Sequence, residues 1–289
     1  MTFVWYSETH LSFLCVGFYQ SIHTQIISRE IDRSQVQLVD RLGEGRFSYV
    51  WKGVMYGVLP VTVKISKPST AHRSHEAALL LTLKHPNIVQ LYGVCSSQVP
   101  VYAVLEFMEH GSLCQYLRDG EGRSVRLTQL VNMASQVAAG MAYLEERNCV
   151  HRDLSASNVL VGGKSICKVA NFDFAQVMCG SIRVAPSRED LPFKWTAPES
   201  IMCNRFTVKS DVWSFGVVLY EILTYGRLPY PGMTNAQVLG QLQQGYRMPR
   251  PMSCPDKLYD IMLNCWREEP ECRPTFETLR WQLEELFVL

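Results

Sequence analysis

The sequence lacks an excess of charge of either sign. Its 28 basic and 27 acidic residues leave a formal net charge of +1 over 289 residues. Proteins that attract nucleic acid or an anionic membrane through their overall field carry a basic excess. No nucleic-acid partner is therefore predicted, and function has to come from local groups of residues.

The sequence also lacks paired cysteines and long apolar runs. Ten cysteines are present, without a CxxC pair or a Cys/His cluster at zinc spacing. A reducing, cytoplasmic compartment is therefore predicted. The N-terminal run LSFLCVGFY is too short to cross a bilayer, and no basic residue precedes it as in a signal peptide. No transmembrane segment is predicted, and residues 1–31 are interpreted as a leader of unknown structure.

The pattern of apolar residues changes once along the chain. Short alternating runs typical of strands extend to Glu106, with a helical interruption over about residues 71–83. From Ser112 onward, apolar residues recur at intervals of three and four, as in LTQLVNMASQVAAGMAYLEE. A strand-rich part is predicted to precede a helical part, joined at residues 106–111. Ligands favour clefts between such parts.

A glycine-rich segment lies between two strand-like runs. Residues 43–48 read GEGRFS, which is by itself compatible with an ordinary hairpin turn. A later strand, VTVK, ends in Lys64, and Glu76 follows in the predicted helix. A lysine held by a glutamate on a neighbouring helix can present its ammonium group to nucleotide phosphates. The combination indicates phosphate binding.

Further motifs follow in a fixed order. His151-Arg152-Asp153 precedes Asn158, then come the segments APE (residues 197–199) and DVWSFG (residues 211–216). In this order the motifs resemble those of the protein kinases, and the resemblance covers residues 32–287. Segments such as WTAPES and SDVWSFGVVLYEILTYG resemble non-receptor, cytoplasmic tyrosine kinases of the Src and Brk/Frk kind.

The resemblance implies an α+β, two-lobed kinase fold that binds ATP. The N-lobe would span about residues 32–108 and the C-lobe about 109–287. Glu106 and Met108 would belong to the hinge that meets adenine, and Leu105 would stand at the gatekeeper position. Ser48 replaces the third glycine of the loop, and Thr62 replaces the usual alanine. The nucleotide-binding residues implied are Leu42, Gly43, Gly45, Val50, Thr62, Lys64, Glu106, Met108 and Leu160.

The resemblance also implies catalytic roles. Asp153 would accept the proton of the substrate hydroxyl, with Lys64 and Glu76 as further catalytic residues, and Asn158 would be a metal ligand. Arg152 and Asp211 would support the loop, and Glu199 would form a buried ion pair with Arg273. The metal-binding aspartate of the family stands eighteen residues beyond the catalytic one, and this chain has Asn171 there.

Asparagine at that position predicts a weakened magnesium or manganese site, because a neutral amide removes one charge from the ligands. Phosphoryl transfer to protein tyrosine is then expected to be impaired or absent. A shifted register that uses Asp173 instead remains an alternative. No tyrosine lies between residues 174 and 198, and Gln176 replaces an arginine that would bind a phosphotyrosine.

Two functional alternatives stay open. The chain could be an active non-receptor tyrosine kinase with a protein substrate, because Lys64, Glu76, Asp153 and Asn158 persist. It could also be a pseudokinase that acts as a scaffold or allosteric partner of another kinase.

Overall fold

The computed structural model describes residues 29–67, 75–178 and 192–286. The described chain divides into two compact units. The strand unit consists of residues 29–67, 75–84 and 90–107, and the helical unit consists of residues 85–89, 108–178 and 192–286. The predicted α+β architecture, with strands first and helices after them, is confirmed.

The strand unit is built on one antiparallel sheet. Its strands are β1 (Val36–Glu44), β2 (Ser48–Met55), β3 (Leu59–Ser66), β4 (Leu91–Cys95) and β5 (Tyr102–Glu106), in the order β1-β2-β3-β5-β4. Along β3, Val61, Val63 and Ile65 are buried in the core. Side chains alternate between the two faces of a strand. Thr62 and Lys64 therefore lie on the face opposite that core.

Helix α1 (His75–Thr82) lies within the segment predicted as helical, residues 71–83. The first residues of that prediction, 71–74, lie outside the described residues. The chain also joins the sheet before the expected domain start at residue 32. Ile31 N donates to Val94 O at 2.7 Å, Val94 N donates to Arg29 O at 3.0 Å, and Ile31 is buried. Burial of the apolar Ile31 side chain is favourable, which explains why residues 29–31 belong to the strand unit.

The helical unit contains α2 (Leu113–Asp119), α3 (Leu127–Glu146), α4 (Pro198–Cys203), α5 (Val208–Leu223), α6 (Asn235–Gln243), α7 (Asp256–Cys265) and α8 (Phe276–Glu285). Two short antiparallel ladders accompany the helices. One pairs β6 (Cys149–Val150) with β9 (Gln176–Val177), and the other pairs β7 (Val159–Gly162) with β8 (Ile166–Val169). These ladders carry the loops on which the polar motifs lie.

Helix α5 is the buried centre of the helical unit. Nearly all of its residues are buried, including Trp213, Phe215 and the acid Glu221. Because residues on nearly all sides of α5 are buried, packing outweighs the lower helix propensity of its β-branched valines. Among the described residues, no helix combines the length and the apolar character needed to cross a bilayer.

Residues 85–89 belong to the helical unit, although the sequence pattern grouped them with the strands. Val89 N donates to Val169 O, and Val169 N donates to Asn87 O, each at 2.9 Å. Backbone groups need partners when they are buried. The ladder contact with β8 therefore decides where this segment packs.

Candidate active site

The glycine-rich segment forms the turn between β1 and β2. Gly45 N donates to Ser48 O at 2.8 Å, and Gly43 faces Val50 across the ladder. A Cβ atom added to Gly43 would meet no described atom within 4 Å. Packing within the strand unit therefore does not demand glycine at this position. Glycine leaves the backbone amides open to a ligand, which is the property that a phosphate-binding loop needs.

An ionic cluster holds this turn to the neighbouring strands. Glu44 Oε1 lies 2.6 Å from Lys67 Nζ, and Glu44 Oε2 lies 2.5 Å from Arg41 Nη2. Both cations lie over the ring of Tyr49, at 5.1 and 4.6 Å from its centroid. The hydrogen bond from Lys67 lowers the pKa of Glu44. These contacts give the turn a defined position on the sheet.

Lys64 is held by Glu76 within the strand unit. Its Nζ lies 2.7 and 2.8 Å from the two carboxylate oxygens of Glu76. Both side chains are mostly shielded from solvent, with exposed fractions of 16% and 12%. Across the sheet, Lys64 pairs with Val50 on one side and with Ala103 on the other. A lysine fixed in this way presents a localised positive charge suited to phosphate.

The other predicted nucleotide residues divide between the two units. Thr62 pairs with Leu105 across β3 and β5, and Leu105 is buried. Leu42 is half exposed on β1, and Glu106 Oε1 accepts a hydrogen bond from Gln90 N at 2.7 Å. Met108 and Leu160 belong to the helical unit. The strand unit therefore brings Val50, Thr62 and Lys64 together on one face of its sheet.

The loop between β6 and β7, residues 151–158, is the one that the resemblance identifies as the catalytic loop, and α5 packs against it. Asp211 Oδ2 accepts a hydrogen bond from His151 N at 2.6 Å, and Asp211 Oδ1 accepts one from Arg152 N at 3.0 Å. Asp211 is almost fully buried. The predicted supporting role of Asp211 is confirmed. Its two backbone bonds fix the residue immediately before Asp153.

The buried imidazole of His151 joins the loop to the end of β8. Its Nε2 donates to Ala170 O at 3.0 Å, and its Nδ1 accepts from Asp153 N at 3.3 Å. The ring of Phe172 packs edge-on against it, with centroids 5.1 Å apart, and Phe172 is fully buried. These contacts fix the residues on both sides of Asn171.

Asn171 lies against the two polar residues of the catalytic loop. Its Nδ2 donates to Asn158 Oδ1 at 3.1 Å and to Asp153 Oδ2 at 3.3 Å. Asn158 Nδ2 in turn donates to the backbone oxygen of Asp153 at 2.6 Å. We call Asp153, Asn158 and Asn171 the polar triad. In this arrangement an amide nitrogen, and not an oxygen, of Asn171 faces the oxygens of its neighbours.

The carboxyl group of Asp153 has a perturbed pKa. Burial raises it to about 7, and the negative charge of Asp173 adds to the rise. Hydrogen bonds from Asn158 and Asn171 oppose the shift, because they stabilise the ionised form. A carboxyl group that titrates near neutral pH is suited to accept a proton from a hydroxyl group.

Arg152 contacts two neutral side chains and also interacts with the charge of Asp211. Its guanidinium donates to Gln176 Oε1 and lies over the ring of Phe206, 5.3 Å from the centroid. Burial lowers its pKa, and the charge of Asp211 opposes that shift. Gln176, which was expected only as the replacement of an arginine, therefore has a structural contact of its own.

The predicted ion pair of Glu199 with Arg273 is confirmed. Arg273 Nη1 lies 2.6 Å from Glu199 Oε1, and Nη2 lies 3.0 Å from Oε2. The arginine side chain is completely buried. The two parallel contacts anchor the first turn of α4 to the loop before α8.

Sequence reasoning missed Glu221. One of its oxygens, Oε2, accepts from Ala156 N at 2.9 Å and from Trp195 Nε1 at 2.8 Å. Burial raises its pKa to about 7, and the two hydrogen bonds oppose the shift. The sequence did contain a signal for this residue: a single acid in the apolar run VVLYEIL indicates a buried carboxyl group, which needs hydrogen-bond partners. Through its two hydrogen bonds, Glu221 connects the catalytic loop to the segment that precedes α4.

The family profile described as protein tyrosine and serine/threonine kinase matches residues 36–283. This chain belongs to the protein kinase family. The order of sheet and helices is the predicted kinase fold, which is confirmed. Sequence identity with individual tyrosine kinases tests the finer resemblance to the non-receptor tyrosine kinases.

Human tyrosine-protein kinase FRK is 53% identical over 264 residues, which are 89% of this chain and 52% of FRK. Tyrosine-protein kinases SRK3 and SRK2 of Spongilla lacustris are 51% and 50% identical and each aligns with 90% of this chain. The predicted resemblance to tyrosine kinases of the Src and Brk/Frk kind is confirmed. The kinase domain spans about half the length of the human relative, and 78% and 72% of the sponge relatives.

Proposed function

We propose that this kinase domain binds ATP and that its transfer of the phosphoryl group to protein tyrosine is impaired or absent. The nucleotide-binding part of the proposal is supported by the glycine-rich turn, where a Cβ atom at Gly43 would meet no described atom within 4 Å, and by Lys64, held by Glu76. Asp153 would orient the tyrosine hydroxyl and accept its proton. ATP and a protein substrate or partner kinase are the proposed partners, and a cytoplasmic location stays a prediction.

The observation that carries the impaired activity is the amide of Asn171. Kinases use divalent cations to neutralise the charge that develops on the transferred phosphoryl group. Magnesium prefers carboxylate and phosphate oxygens, whereas the Asn171 nitrogen that faces Asp153 and Asn158 has no lone pair for a cation. The side chains of the polar triad therefore do not fit a divalent cation in this arrangement.

The position of Asn171 also favours the predicted register over the shifted one. Asn171 donates to both Asp153 and Asn158, and it directly precedes the buried Phe172. A register shift by two residues would have to displace Phe172 from its contact with His151. Packed side chains specify register strongly. We therefore assign the metal position of the family to Asn171 and not to Asp173.

Loss of one carboxylate should weaken the stabilisation of the transition state by several kcal/mol, because charge neutralisation is the largest contribution to this chemistry. The test is a phosphorylation assay with purified protein, ATP and a tyrosine-containing peptide, run beside a thermal-shift measurement with ATP. Stabilisation by ATP together with very slow transfer supports the proposal. Transfer at the rate of an ordinary tyrosine kinase would show that the active-enzyme alternative is right.

A matched pair of variants separates specific from general effects in that assay. Lys64→Met should abolish the thermal shift produced by ATP, because it removes the charge held by Glu76. Lys257→Met makes the same chemical change at an exposed position of α7 and should leave the shift unchanged. A wild-type protein without any shift at millimolar ATP would contradict nucleotide binding.

A further inference from the structure

The members of the polar triad are joined to one another by hydrogen bonds. Asn171 Nδ2 bridges Asn158 Oδ1 and Asp153 Oδ2, and Asn158 Nδ2 reaches the backbone oxygen of Asp153. The oxygen of Asn158 that could coordinate a metal is the one that accepts the hydrogen bond from Asn171. A donor group of the chain itself thus occupies the Asn158 oxygen that a cation would use.

The backbone around Asn171 holds the amide in this place. Asn171 has a φ of +62°, in the left-handed region that asparagine tolerates better than most residues. Ala170 N donates to Asn158 O at 2.9 Å, and Ala170 O accepts from His151 Nε2 at 3.0 Å. On the other side Phe172 is fully buried. The amide is therefore positioned by two rigid neighbours as well as by its own hydrogen bonds.

The charge of the triad differs from that of a site with an aspartate at position 171. Asp153 is its one carboxylate, whereas an aspartate at position 171 would add a second within hydrogen-bond distance of the first. Two carboxylates repel each other and repel the phosphates of a nucleotide, so such a site is stabilised by a bound cation. One carboxylate bridged by an amide donor needs that compensation much less.

We propose that this kinase domain needs no divalent cation to bind ATP, and that the hydrogen bonds of Asn171 order Asp153 and Asn158 without one. The proposal rests on the proposed nucleotide binding and adds to it the ionic form of the ligand. The ligand is the nucleoside triphosphate itself, and its metal-free form and its magnesium complex should bind alike.

The test compares the ATP affinity of the wild-type protein by isothermal titration in magnesium with its affinity in a buffer containing a chelator. The two affinities should agree within about threefold, a difference well below the tenfold step that 1.4 kcal/mol represents. A wild-type affinity that falls by more than about tenfold when magnesium is removed would overturn the proposal. Absence of binding in both buffers would overturn the proposed function as well.

Two variants locate the effect. For Asn171→Asp, magnesium should strengthen ATP binding by at least about tenfold, because the second carboxylate then needs a counter-charge. Asp173→Asn removes a neighbouring carboxylate outside the triad and should leave the cation independence of the wild type unchanged. Equal magnesium dependence of wild type and Asn171→Asp would contradict the role assigned to Asn171.

A second measurement uses manganese and does not depend on activity. In the presence of ATP and protein, the electron paramagnetic resonance signal of free Mn²⁺ should fall further with Asn171→Asp than with the wild type. For the wild type, the signal should match that of ATP alone at the same concentration. Capture of additional manganese by the wild-type protein would overturn the proposal even when the variant is too unstable to compare.

Discussion

Replacing Asn171 by aspartate should destabilise the kinase domain when no divalent cation is present. The change keeps the size of the side chain, but it exchanges the Nδ2 donor for an oxygen that faces two oxygens. The hydrogen bonds to Asn158 and Asp153, at 3.1 and 3.3 Å, would be lost. A negative charge would also be placed beside the carboxylate of Asp153.

The magnitude follows from the distance. Two unit charges 3.3 Å apart repel by about 5 kcal/mol at an effective dielectric constant of about 20. Rotation of the new side chain and entry of water would reduce this to roughly 2 kcal/mol of lost stability. For a domain of this size, 1 kcal/mol corresponds to about 2–4 °C in Tm. The expected decrease is therefore roughly 6 °C.

The assay is a thermal-shift measurement in a chelating buffer at about pH 8, above the pKa of about 7 to which burial raises Asp153. Asp173→Asn serves as the control, because it removes a charge that raises the pKa of Asp153 and should leave Tm equal or slightly higher. Addition of magnesium should recover part of the loss for Asn171→Asp. A Tm equal to or above that of the wild type in chelator would refute the assignment of the amide nitrogen as the group facing both oxygens.

Three further predictions follow from the same structure. In the peptide assay with magnesium, Asn171→Asp should raise the rate of phosphoryl transfer at least about tenfold, because the regained carboxylate should stabilise the transition state by more than the roughly 1.4 kcal/mol that a tenfold rate represents. Asp173→Ala should change the rate little. Loss of all activity in Asp173→Ala would instead establish the shifted register. The raised pKa of Glu221, about 7 in the fold, means that its carboxyl group favours folding below its unfolded pKa of 4.5 and that this contribution disappears as the pH rises through 7. Wild-type stability should accordingly fall by up to roughly 3 kcal/mol between about pH 4.5 and 7, and Glu221→Gln should show a shallower fall of Tm over that range, so that parallel Tm curves would disprove the shift. Arg273→Met should lower the free energy of unfolding in urea by about 3–5 kcal/mol, because it leaves Glu199 without its partner. The double variant with Glu199→Gln should recover part of that loss. If Arg273→Met alone is as stable as the wild type, the ion pair contributes nothing to stability.

The sequence determined the general plan of this kinase domain. The change from period-two to helical patterning near Glu106 predicted strands followed by helices, because burying one face of each element imposes that pattern. The order and spacing of the motifs also placed the chain in its family. The ion pair of Glu199 with Arg273 was implied by the resemblance to that family. Local patterns carry the element order without coordinates, whereas the ion pair came from knowledge of the family.

The tertiary structure decided contacts between residues far apart in the chain. Glu221 accepts from Ala156, 65 positions away, and Asp211 holds His151, 60 positions away. No local pattern predicts which backbone amide will donate to a buried carboxyl group, because the packing of α5 against the catalytic loop brings the two groups together. The amide orientation of Asn171 is of the same kind. The sequence predicted a missing charge at position 171, whereas the fold places a hydrogen-bond donor between Asp153 and Asn158.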